Sequence, residues 1–344
     1  MDPAFRKITG AVYRSGRIRR TLVTIEARGP VRPGEIRERK IYGHWHRKGA
    51  CNTITAMASD DAYRQAETLR VDANGLNVHC LAAGEDGSPV LLLHGGGLDS
   101  AGFTYRYTIG PLSEEHRVFA PDWPGYGQSD KPEVEYTVPF YVGILGRLVD
   151  ALGLGRISLV GLSMGGAAAL GFALRAPERV DKLVLVDSYG LGSKVPWGRL
   201  GYLMVHAPLL NELSYALLRR SRTMVRWSLY GLVHDRGAVT GGMVDEIGQL
   251  LGDPKAGHAW NSFQKSEVGW GGLRTNFSDR LDGLSVPTLL VHGANDRAVP
   301  LAWARRAQKR IPDCGLEVFP DCGHMPPRER PEDFARVVGG FLAR

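Results

Sequence analysis

Short, continuous apolar runs recur along the chain from about residue 67 onward, and helix-like segments separate them. Such runs predict parallel strands that are buried on both faces of a sheet. The runs are VLLLH at 90–94, VFAPD at 118–122, ISLV at 157–160, KLVLVD at 182–187, TLLVH at 288–292 and LEVF at 316–319. The helix-like segments lie at about 138–152, 164–176, 301–311 and 331–343. This alternation predicts an α/β fold in which helices cover both faces of a mostly parallel sheet.

Two stretches depart from this alternation of strands and helices. The stretch TLRVDANGLNVHCLAAG predicts two short strands around Asn74-Gly75, a pair that supplies the positive φ angles of a hairpin turn. After Asp187 the alternation stops, and residues 189–283 are helix-like and rich in aromatic side chains. An insertion at the carboxyl edge of a sheet is well placed to form a lid over a site at the strand ends.

The positive charge of the chain is concentrated before this pattern begins. Residues 1–56 contain 13 Lys and Arg against 4 Asp and Glu, a net of +9, so the remainder of a chain of net charge +7 carries −2. A basic surface on the main domain is therefore not expected, and no nucleic-acid partner is predicted. The longest uncharged run, Ile157 to Leu174, contains glycines and a serine and reads as a buried strand and helix rather than a membrane span.

The first 56 residues have little apolar periodicity and are expected to be a disordered extension or a non-native leader, with Met57 as the natural start. The core is then expected at 57–188 and 284–344, and the lid at 189–283. The histidines at 44 and 46 with Cys51 suggest a metal site, but surface-loop composition explains them better. Four scattered cysteines without CxxC spacing indicate reduced thiols and a cytoplasmic location.

The stretch GLSMGG at 161–166 stands between a predicted strand and a predicted helix. It contains the pattern G-x-S-x-G, in which a serine occupies a turn so sharp that its backbone is strained. Gly161 and Gly165 are required there because larger side chains two positions from the serine would clash. Ser163 is therefore the candidate nucleophile, and a tight structural turn is the alternative.

A serine nucleophile needs a base, and the base needs an acid that orients it. His324, in PDCGHMPPRERP, follows the last strand on a loop from which an imidazole could reach Ser163. Asp296, in VHGANDRAVP, follows the preceding strand and is the preferred acid, while Asp187 is its competitor. His292 lies inside a strand and is expected in the core.

The sequence His94-Gly95-Gly96-Gly97 follows the first long strand. Residues without side chains let backbone N–H groups approach a developing oxyanion, and each such donor contributes roughly 2.7–4 kcal/mol in the transition state. The natural pair of donors is Gly96 with Met164. His94 is expected to pack or to hydrogen-bond so that it holds the loop. A merely flexible glycine loop is the alternative.

The motifs HGGG, DWPGYGQSD, GLSMGG, HGANDRAVP and CGHMPP occur in this order at successive strand ends. Over about residues 66–344 the chain thereby resembles the α/β-hydrolase fold superfamily. The resemblance implies an eight-stranded-type sheet with a helical lid inserted after the sixth strand. It also implies Ser163 as nucleophile, His324 as base, Asp296 as orienting acid, and oxyanion donors at 96 and 164. This chemistry needs no metal or organic cofactor.

Haloalkane dehalogenases and epoxide hydrolases of this superfamily have an aspartate in place of Ser163, which disfavours both. HGGG and SMGG look like the C–C bond hydrolases that cleave ring-cleavage products of aromatic degradation. Those enzymes usually have asparagine before the nucleophile and tryptophan after the histidine, whereas this chain has Leu162 and Met325. Their lid arginine binds the substrate carboxylate, and the candidates here are Arg219, Arg220, Arg222 and Arg226. A solvated helix face explains this cluster better.

These departures favour a carboxylesterase-like enzyme that cleaves small to medium apolar esters through an acyl-enzyme. The first alternative is a C–C bond hydrolase of meta-cleavage products, which are vinylogous 1,5-diketones. An alternative of another class is a non-catalytic ligand-binding protein of the same fold. The expected partner is a small-molecule substrate, and a homodimer is a possible assembly.

Overall fold

The computed structural model describes residues 7–10, 23–26, 63, 65–195, 198–207 and 209–344. The chain divides into two units, Met1–Lys48 and Gly49–Arg344. In the first unit the strands Lys7–Gly10 and Val23–Glu26 pair antiparallel. The rest of the predicted leader, including the pair of histidines at 44 and 46, Cys51 and the expected start at Met57, lies outside the described residues.

The second unit is built on an eight-stranded sheet. Its strands are β1 (Glu67–Asp72), β2 (Asn77–Ala83), β3 (Pro89–Leu93), β4 (Arg117–Pro121), β5 (Ile157–Leu162), β6 (Val180–Val186), β7 (Thr288–Gly293) and β8 (Cys314–Phe319). Their order across the sheet is β8-β7-β6-β5-β3-β4-β2-β1. The pairs β1/β2 and β2/β4 are antiparallel, and the other pairs are parallel. The predicted mostly parallel sheet is confirmed.

The predicted hairpin joins β1 to β2. Asn74 and Gly75 have φ angles of 61° and 85°, and Ala73 N donates to Leu76 O at 2.8 Å. Two consecutive residues with positive φ match the right-handed twist of the flanking strands, which is why an Asn-Gly pair stands here.

Helices cover both faces of the sheet. In the core they are α1 (Ala101–Ser113), α2 (Val138–Ala151) and α3 (Met164–Arg175), followed after the lid by α9 (Leu301–Gln308), α10 (Pro326–Glu329) and α11 (Pro331–Leu342). On β3, Val90 and Leu92 belong to the hydrophobic cluster that includes residues of α1 and α11, whereas Leu91 and Leu93 belong to the cluster on the other face, which includes residues of α2, α3 and α9. All four side chains are fully buried. Burial on both faces explains the continuous apolar runs in the sequence.

The helix α1 is absent from the sequence-based prediction. Its sequence AGFTYRYTIGPLS is rich in aromatic and β-branched residues and contains Pro111, so its intrinsic helix propensity is weak. The Ser100 hydroxyl caps it by accepting from Phe103 N at 3.1 Å. The fully buried Tyr105 and Ile109 show that packing against the sheet stabilises it.

A helical lid follows the sixth strand, as predicted. It comprises α4 (Gly198–His206), α5 (Leu210–Arg220), α6 (Arg222–Tyr230), α7 (Gly241–Leu251) and α8 (His258–Glu267), with paired two-residue strands at Val268–Gly269 and Gly272–Leu273. The buried Glu267 fastens it to the core, since its Oε1 accepts from Val138 N at 3.1 Å and its Oε2 from Tyr189 Oη at 3.0 Å. Among the helices described, none is both long and apolar enough to cross a membrane.

Candidate active site

The carboxyl ends of β3, β5, β6 and β7 lie at one edge of the sheet, where the candidate site residues follow them. Ser163 comes directly after β5, with φ 51° and ψ −113°. Its N–H donates to Val186 O at the end of β6 at 2.9 Å, and its carbonyl accepts from Ala167 N at 3.1 Å. A non-glycine residue at positive φ costs of order 1–3 kcal/mol and persists only where the surroundings impose it. The serine therefore sits in the strained turn that its sequence motif predicts.

The two glycines of the motif stand where no side chain fits. An ideal Cβ on Gly161 would lie 2.5 Å from the Gly165 carbonyl oxygen. A Cβ on Gly165 would lie 2.2 Å from the carbonyl oxygen of Leu93, at the end of the neighbouring β3. The obstacles are backbone atoms of packed elements, so they cannot move aside cheaply. The turn and the adjacent strand thus approach closely only because these residues are glycine.

Two backbone N–H groups are available beside Ser163. Helix α3 begins at Met164, so the N–H of Met164 has no acceptor in the preceding turn. Within the described part of the chain, neither this N–H nor that of Gly96 donates a hydrogen bond. The glycine loop lies next to the serine, since an ideal Cβ built on Gly95 would be 3.6 Å from Ser163 Cβ. The arrangement suits the predicted pair of oxyanion donors.

His94 holds the glycine loop in place, as expected. Its Nδ1 donates to Gly95 O at 2.8 Å, and its Nε2 accepts from Trp123 N at 3.0 Å. The Trp123 indole N–H donates to the His94 carbonyl at 3.0 Å. These partners assign a neutral imidazole with its proton on Nδ1, because one ring nitrogen faces a carbonyl and the other an N–H. Both ring nitrogens of His94 are therefore engaged in structural hydrogen bonds, and His94 is not a candidate base.

Asp99 is a second anchor of this loop, and the sequence analysis missed it. Its Oδ2 accepts from Gly95 N at 2.9 Å, and its Oδ1 accepts from Ser100 N and from the Thr104 hydroxyl, both at 2.7 Å. Burial raises the pKa of Asp99 against the effect of these donors. An aspartate just before a helix start is a recognisable signal for such a loop anchor.

The predicted base and acid are in contact. His324 Nδ1 donates to Asp296 Oδ2 at 2.7 Å. Asp296 Oδ1 accepts from Ala298 N at 2.7 Å and from Val299 N at 3.1 Å, and its side chain is fully buried. Burial acts to raise the pKa of Asp296, but the charge and hydrogen bond of His324 and the two N–H donors together lower it. Asp296 is thus an ionised acceptor that orients the imidazole.

The structure does not join the base to the nucleophile. In the described residues no hydrogen bond links the Ser163 hydroxyl to the His324 ring. Both residues lie at the same edge of the sheet, after β5 and β8 respectively. Catalytic hydrogen bonds are often long in a free enzyme and shorten when substrate binds, so this contact is expected to form in the complex.

The loop that carries His324 is held by Glu329 and by the lid. Glu329 Oε1 accepts from Gly323 N at 2.9 Å and from Met325 N at 3.3 Å, while Oε2 accepts from His234 N at 2.7 Å. His324 N donates to the lid carbonyl of Leu232 at 2.7 Å. Sequence reasoning did not identify Glu329, because only the folded loop brings its carboxylate back onto the preceding turn.

A second aspartate adjoins the candidate acid. One carboxylate oxygen each of Asp187 and Asp296 and one ring nitrogen of His292 lie within 4.8 Å of one another. Such a group has the donor types for a metal ion, but Asp296 already accepts from His324 and two backbone N–H groups. His292 is buried as expected, and its Nε2 donates to Val299 O at 3.0 Å. These hydrogen bonds explain why Asp296 and His292 are held at this place, which is the acid end of the candidate site.

The lid closes over the glycine loop through Trp260 of α8. An ideal Cβ on Gly96 would lie 2.2 Å from Cζ3 of the Trp260 ring. Behind it, Trp260 stacks on the buried Phe263, with ring centroids 5.5 Å apart and an interplanar angle of 14°. An aromatic surface therefore covers one of the two predicted oxyanion donors.

Three of the four lid arginines named above as candidates have structural partners in the lid. Arg219 Nη2 donates to Pro254 O at 3.0 Å, Arg222 pairs with Asp245, and Arg226 Nη1 donates to Val239 O at 3.0 Å. These contacts brace the lid helices against each other. Arg219, Arg220 and Arg222 are nevertheless exposed, which agrees with the solvated helix face expected from the sequence. The contacts occupy three of the candidates for binding a substrate carboxylate.

Comparisons with known proteins agree with this fold. Residues 88–331 match the model of the alpha/beta hydrolase fold family. The chain is 32% identical to 2-hydroxy-6-oxo-6-(2'-aminophenyl)hexa-2,4-dienoic acid hydrolase of Metapseudomonas resinovorans, over 80% of this chain and 90% of that one. It is also 32% identical to 2-hydroxy-6-oxo-2,4-heptadienoate hydrolase of Pseudomonas putida, over 78% of this chain and 92% of the relative.

Solved structures show the same similarity. A serine hydrolase involved in carbazole degradation superposes with a TM-score of 0.68 at 28% identity, over 81% of this chain and 99% of that one. A meta-cleavage product hydrolase from Pseudomonas fluorescens superposes with a TM-score of 0.67 at 29% identity, over 80% and 97%. With its sheet, its lid and the serine after the fifth strand, the chain belongs to the α/β-hydrolase fold family and is a serine hydrolase.

Proposed function

We propose that the protein hydrolyses a carbon–carbon bond beside a ketone in a vinylogous 1,5-diketone acid. The observation that supports this most directly is the 32% identity, over nine-tenths of their length, to hydrolases named for 2-hydroxy-6-oxo-dienoic acids. The comparisons thus favour the alternative over the ester cleavage expected first from the sequence. The candidate triad is Ser163, His324 and Asp296.

In this mechanism Ser163 Oγ adds to the ketone carbonyl while His324 takes its proton. The tetrahedral oxyanion is stabilised by the N–H groups of Gly96 and Met164. The substrate reacts as its 2,6-dioxo tautomer, the vinylogous 1,5-diketone, in which the 2-hydroxyl has lost a proton and the carbon beside the reacting ketone has gained one. When the carbon–carbon bond breaks, its electrons delocalise into the conjugated acid as a dienolate, and His324 returns the proton to the leaving fragment. Water, deprotonated by His324, hydrolyses the acyl-enzyme to a carboxylic acid. Asp296 fixes the imidazole tautomer and stabilises the imidazolium.

The lid supports a flat, conjugated substrate. Trp260 presents its ring at Gly96, and Phe263 stacks behind it, so the wall above the reacting carbonyl is planar and apolar. Aromatic faces prefer offset stacking with other π systems. A dienoic ketone can lie along such a wall, whereas a polar sugar would lose its hydrogen bonds to water there.

An ester is the second candidate substrate, favoured by the residues beside the nucleophile and the base. Leu162 is 2% exposed and packs in the core, and Met325 is 3% exposed and packs with the lid. Neither can donate a hydrogen bond to a carboxylate, in contrast to the asparagine and tryptophan usual in C–C bond hydrolases. An apolar acyl group needs no such donor.

A substrate panel separates the two candidates. The purified protein is assayed with p-nitrophenyl esters of short acids and with a 2-hydroxy-6-oxo-dienoic acid, whose loss is followed by absorbance. We expect a higher kcat/KM for the dienoic acid, and a preference for the esters by more than tenfold would replace the proposal by its alternative.

The Ser163→Ala variant should lose nearly all turnover and all labelling by a fluorophosphonate. Ser214→Ala, the same change at an exposed lid serine, serves as the control. Equal, measurable rates in wild type and Ser163→Ala would show that Ser163 is not the nucleophile, whereas neither turnover nor labelling in wild type would favour a protein that only binds ligand. A cytoplasmic location, a homodimer and the boundaries at 56, 188 and 283 remain predictions, which fractionation, gel filtration and a chain starting at Met57 would test.

A further inference from the structure

Asp187 is held rigidly beside the candidate acid, although the mechanism above does not use it. It follows β6, and Asp296 follows the adjacent β7. Its backbone N–H donates to Val291 O at 3.0 Å, and its Oδ1 accepts from Gly293 N at 3.0 Å. Both its main chain and its side chain are therefore fixed to the strand that carries Asp296.

The position of Asp187 is costly for the fold. Its φ is +42°, a left-handed conformation in which glycine would be unstrained. The residue is also fully buried, and burying a carboxylate with a single backbone donor on one of its oxygens is unfavourable. A glycine would avoid both costs at this position. The carboxyl group therefore needs an explanation beyond the turn itself.

The second carboxyl oxygen of Asp187 has no donor in the part of its surroundings that the structure describes, and Asp296 lies beside the same carboxyl group. Across the described residues, Asp187 Oδ2 is buried and accepts no hydrogen bond from an N–H or O–H group. Carboxylate oxygens of the two aspartates lie within 4.8 Å of each other. Two adjacent carboxyl groups in a dry site cannot both be ionised, so one keeps a proton.

The surroundings decide which aspartate is protonated. Asp296 accepts from His324 and from two backbone N–H groups, all of which favour its ionised form. Asp187 has one backbone donor, and burial together with the Asp296 charge raises its pKa well above the usual range. The proton therefore belongs on Asp187. The titratable groups that face this pair are His292, Cys322, His324 and Glu329.

We propose that Asp187 is a positioning residue of the active site, whose neutral carboxyl donates a hydrogen bond from Oδ2 to the Asp296 carboxylate. This rests on the proposed role of Asp296 as the orienting acid. The bond fixes the carboxylate that holds His324 and disperses part of its charge. The imidazolium is then stabilised less strongly, so the base stays neutral to lower pH. Asp187 acts only through Asp296 and touches no reacting atom.

Two substitutions separate this role from a structural one. Asp187→Asn keeps a donor toward Asp296 and an acceptor for Gly293, and asparagine tolerates positive φ. Asp187→Gly suits the backbone but removes the donor. The readout is the rate at which a fluorophosphonate labels Ser163 between pH 5 and 9, since it is independent of the natural substrate.

We expect D187N to react within about threefold of wild type with the same pH midpoint. D187G should react at least tenfold more slowly, and its midpoint should lie at higher pH because the bare Asp296 carboxylate makes His324 more basic. Asp181→Asn is the matched control, since Asp181 lies on β6, the strand that Asp187 follows, but pairs at the surface with Arg156 at 3.4 Å.

An infrared measurement covers the case in which D187G does not fold. The difference spectrum of wild type and D187N at pH 7 should contain the C=O band of a protonated carboxylic acid. Absence of this band would overturn the proposal, as would a D187G variant with the wild-type rate and midpoint. An Asp296→Asn variant that keeps more than a tenth of the wild-type labelling rate would indicate that Asp187 is itself the orienting acid. This result would also overturn the proposal. A wild type without label at Ser163 would refute the proposed function itself, whereas labelling with an unchanged D187G profile refutes only the role of Asp187.

Discussion

Substitution of Gly96 tests whether the lid and the oxyanion loop are fitted to each other. In Gly96→Ala the new Cβ would lie 2.2 Å from Cζ3 and 2.3 Å from Cε3 of Trp260. Carbon atoms in contact lie about 3.5–4.0 Å apart, so the loop or the ring must move by more than about 1 Å. Trp260 is stacked on the buried Phe263, which restricts its retreat. We therefore expect the loop to move.

The size of the effect follows from what the loop does. A displacement of about 1 Å at a reacting centre costs about 10²-fold in rate, and loss of one oxyanion donor costs about 10²–10³ in kcat. Gly96→Ala should therefore lower kcat about 10²-fold. Trp260→Ala removes the obstacle, so the double variant should be at least about tenfold more active than Gly96→Ala, a coupling that a double-mutant cycle measures.

The assay is kcat on the better substrate of the panel, corrected for active sites counted with a fluorophosphonate. Gly143→Ala is the control, because Gly143 lies in α2 with no atom within 4 Å of an added Cβ. If Gly96→Ala keeps wild-type kcat, or if the double variant is no better than the single one, the argument that Trp260 restrains the oxyanion loop is wrong.

Three further outcomes follow. Glu329→Ala deprives three backbone N–H groups of their acceptor; each one that stays buried costs about 1–3 kcal/mol. Thermal melting and kcat should fall together, whereas the exposed Glu332→Ala should change neither. Gly165→Ala meets the Leu93 carbonyl at 2.2 Å, and urea unfolding should show a loss of about 1–3 kcal/mol or more. Burial raises the pKa of Asp187, so the folded protein keeps a proton that the unfolded chain loses above about pH 4. The contribution of Asp187 to wild-type stability therefore falls as pH rises above 4, by at most about 1.4 kcal/mol per unit for one proton. Asp187→Asn lacks this loss, so its stability relative to wild type should grow between pH 4.5 and 8; a constant difference would contradict the assignment.

The sequence alone does not decide whether an ester or a carbon–carbon bond is cleaved. Leu162 and Met325 favoured an ester in the sequence analysis, whereas the similarity to named dienoic acid hydrolases favours a carbon–carbon bond. Two single-residue departures reflect local packing, since both side chains are buried among apolar neighbours. Similarity over most of the chain reflects the whole site, so it has more weight in the proposed function.

The sequence by itself determined the fold and the candidate nucleophile, because both depend on local patterns. Continuous apolar runs predict strands buried on both faces, and glycines at 161 and 165 are readable because the turn around Ser163 excludes side chains. The helix α1 was not predicted, because it depends on tertiary packing and not on a local pattern. Its weak propensity is overridden by burial of Tyr105 and Ile109 against the sheet, which local sequence does not encode.

Only the tertiary structure decided how the chemical groups are supported. Asp187 adjoins Asp296 because β6 and β7 pair in parallel, although the lid separates these strands in the chain. The docked lid likewise places Trp260 on Gly96. Contacts of this kind depend on strand order and helix packing, which join residues more than a hundred positions apart. The sequence thus identified the candidate serine, and the tertiary structure determined which groups hold its candidate partners in place.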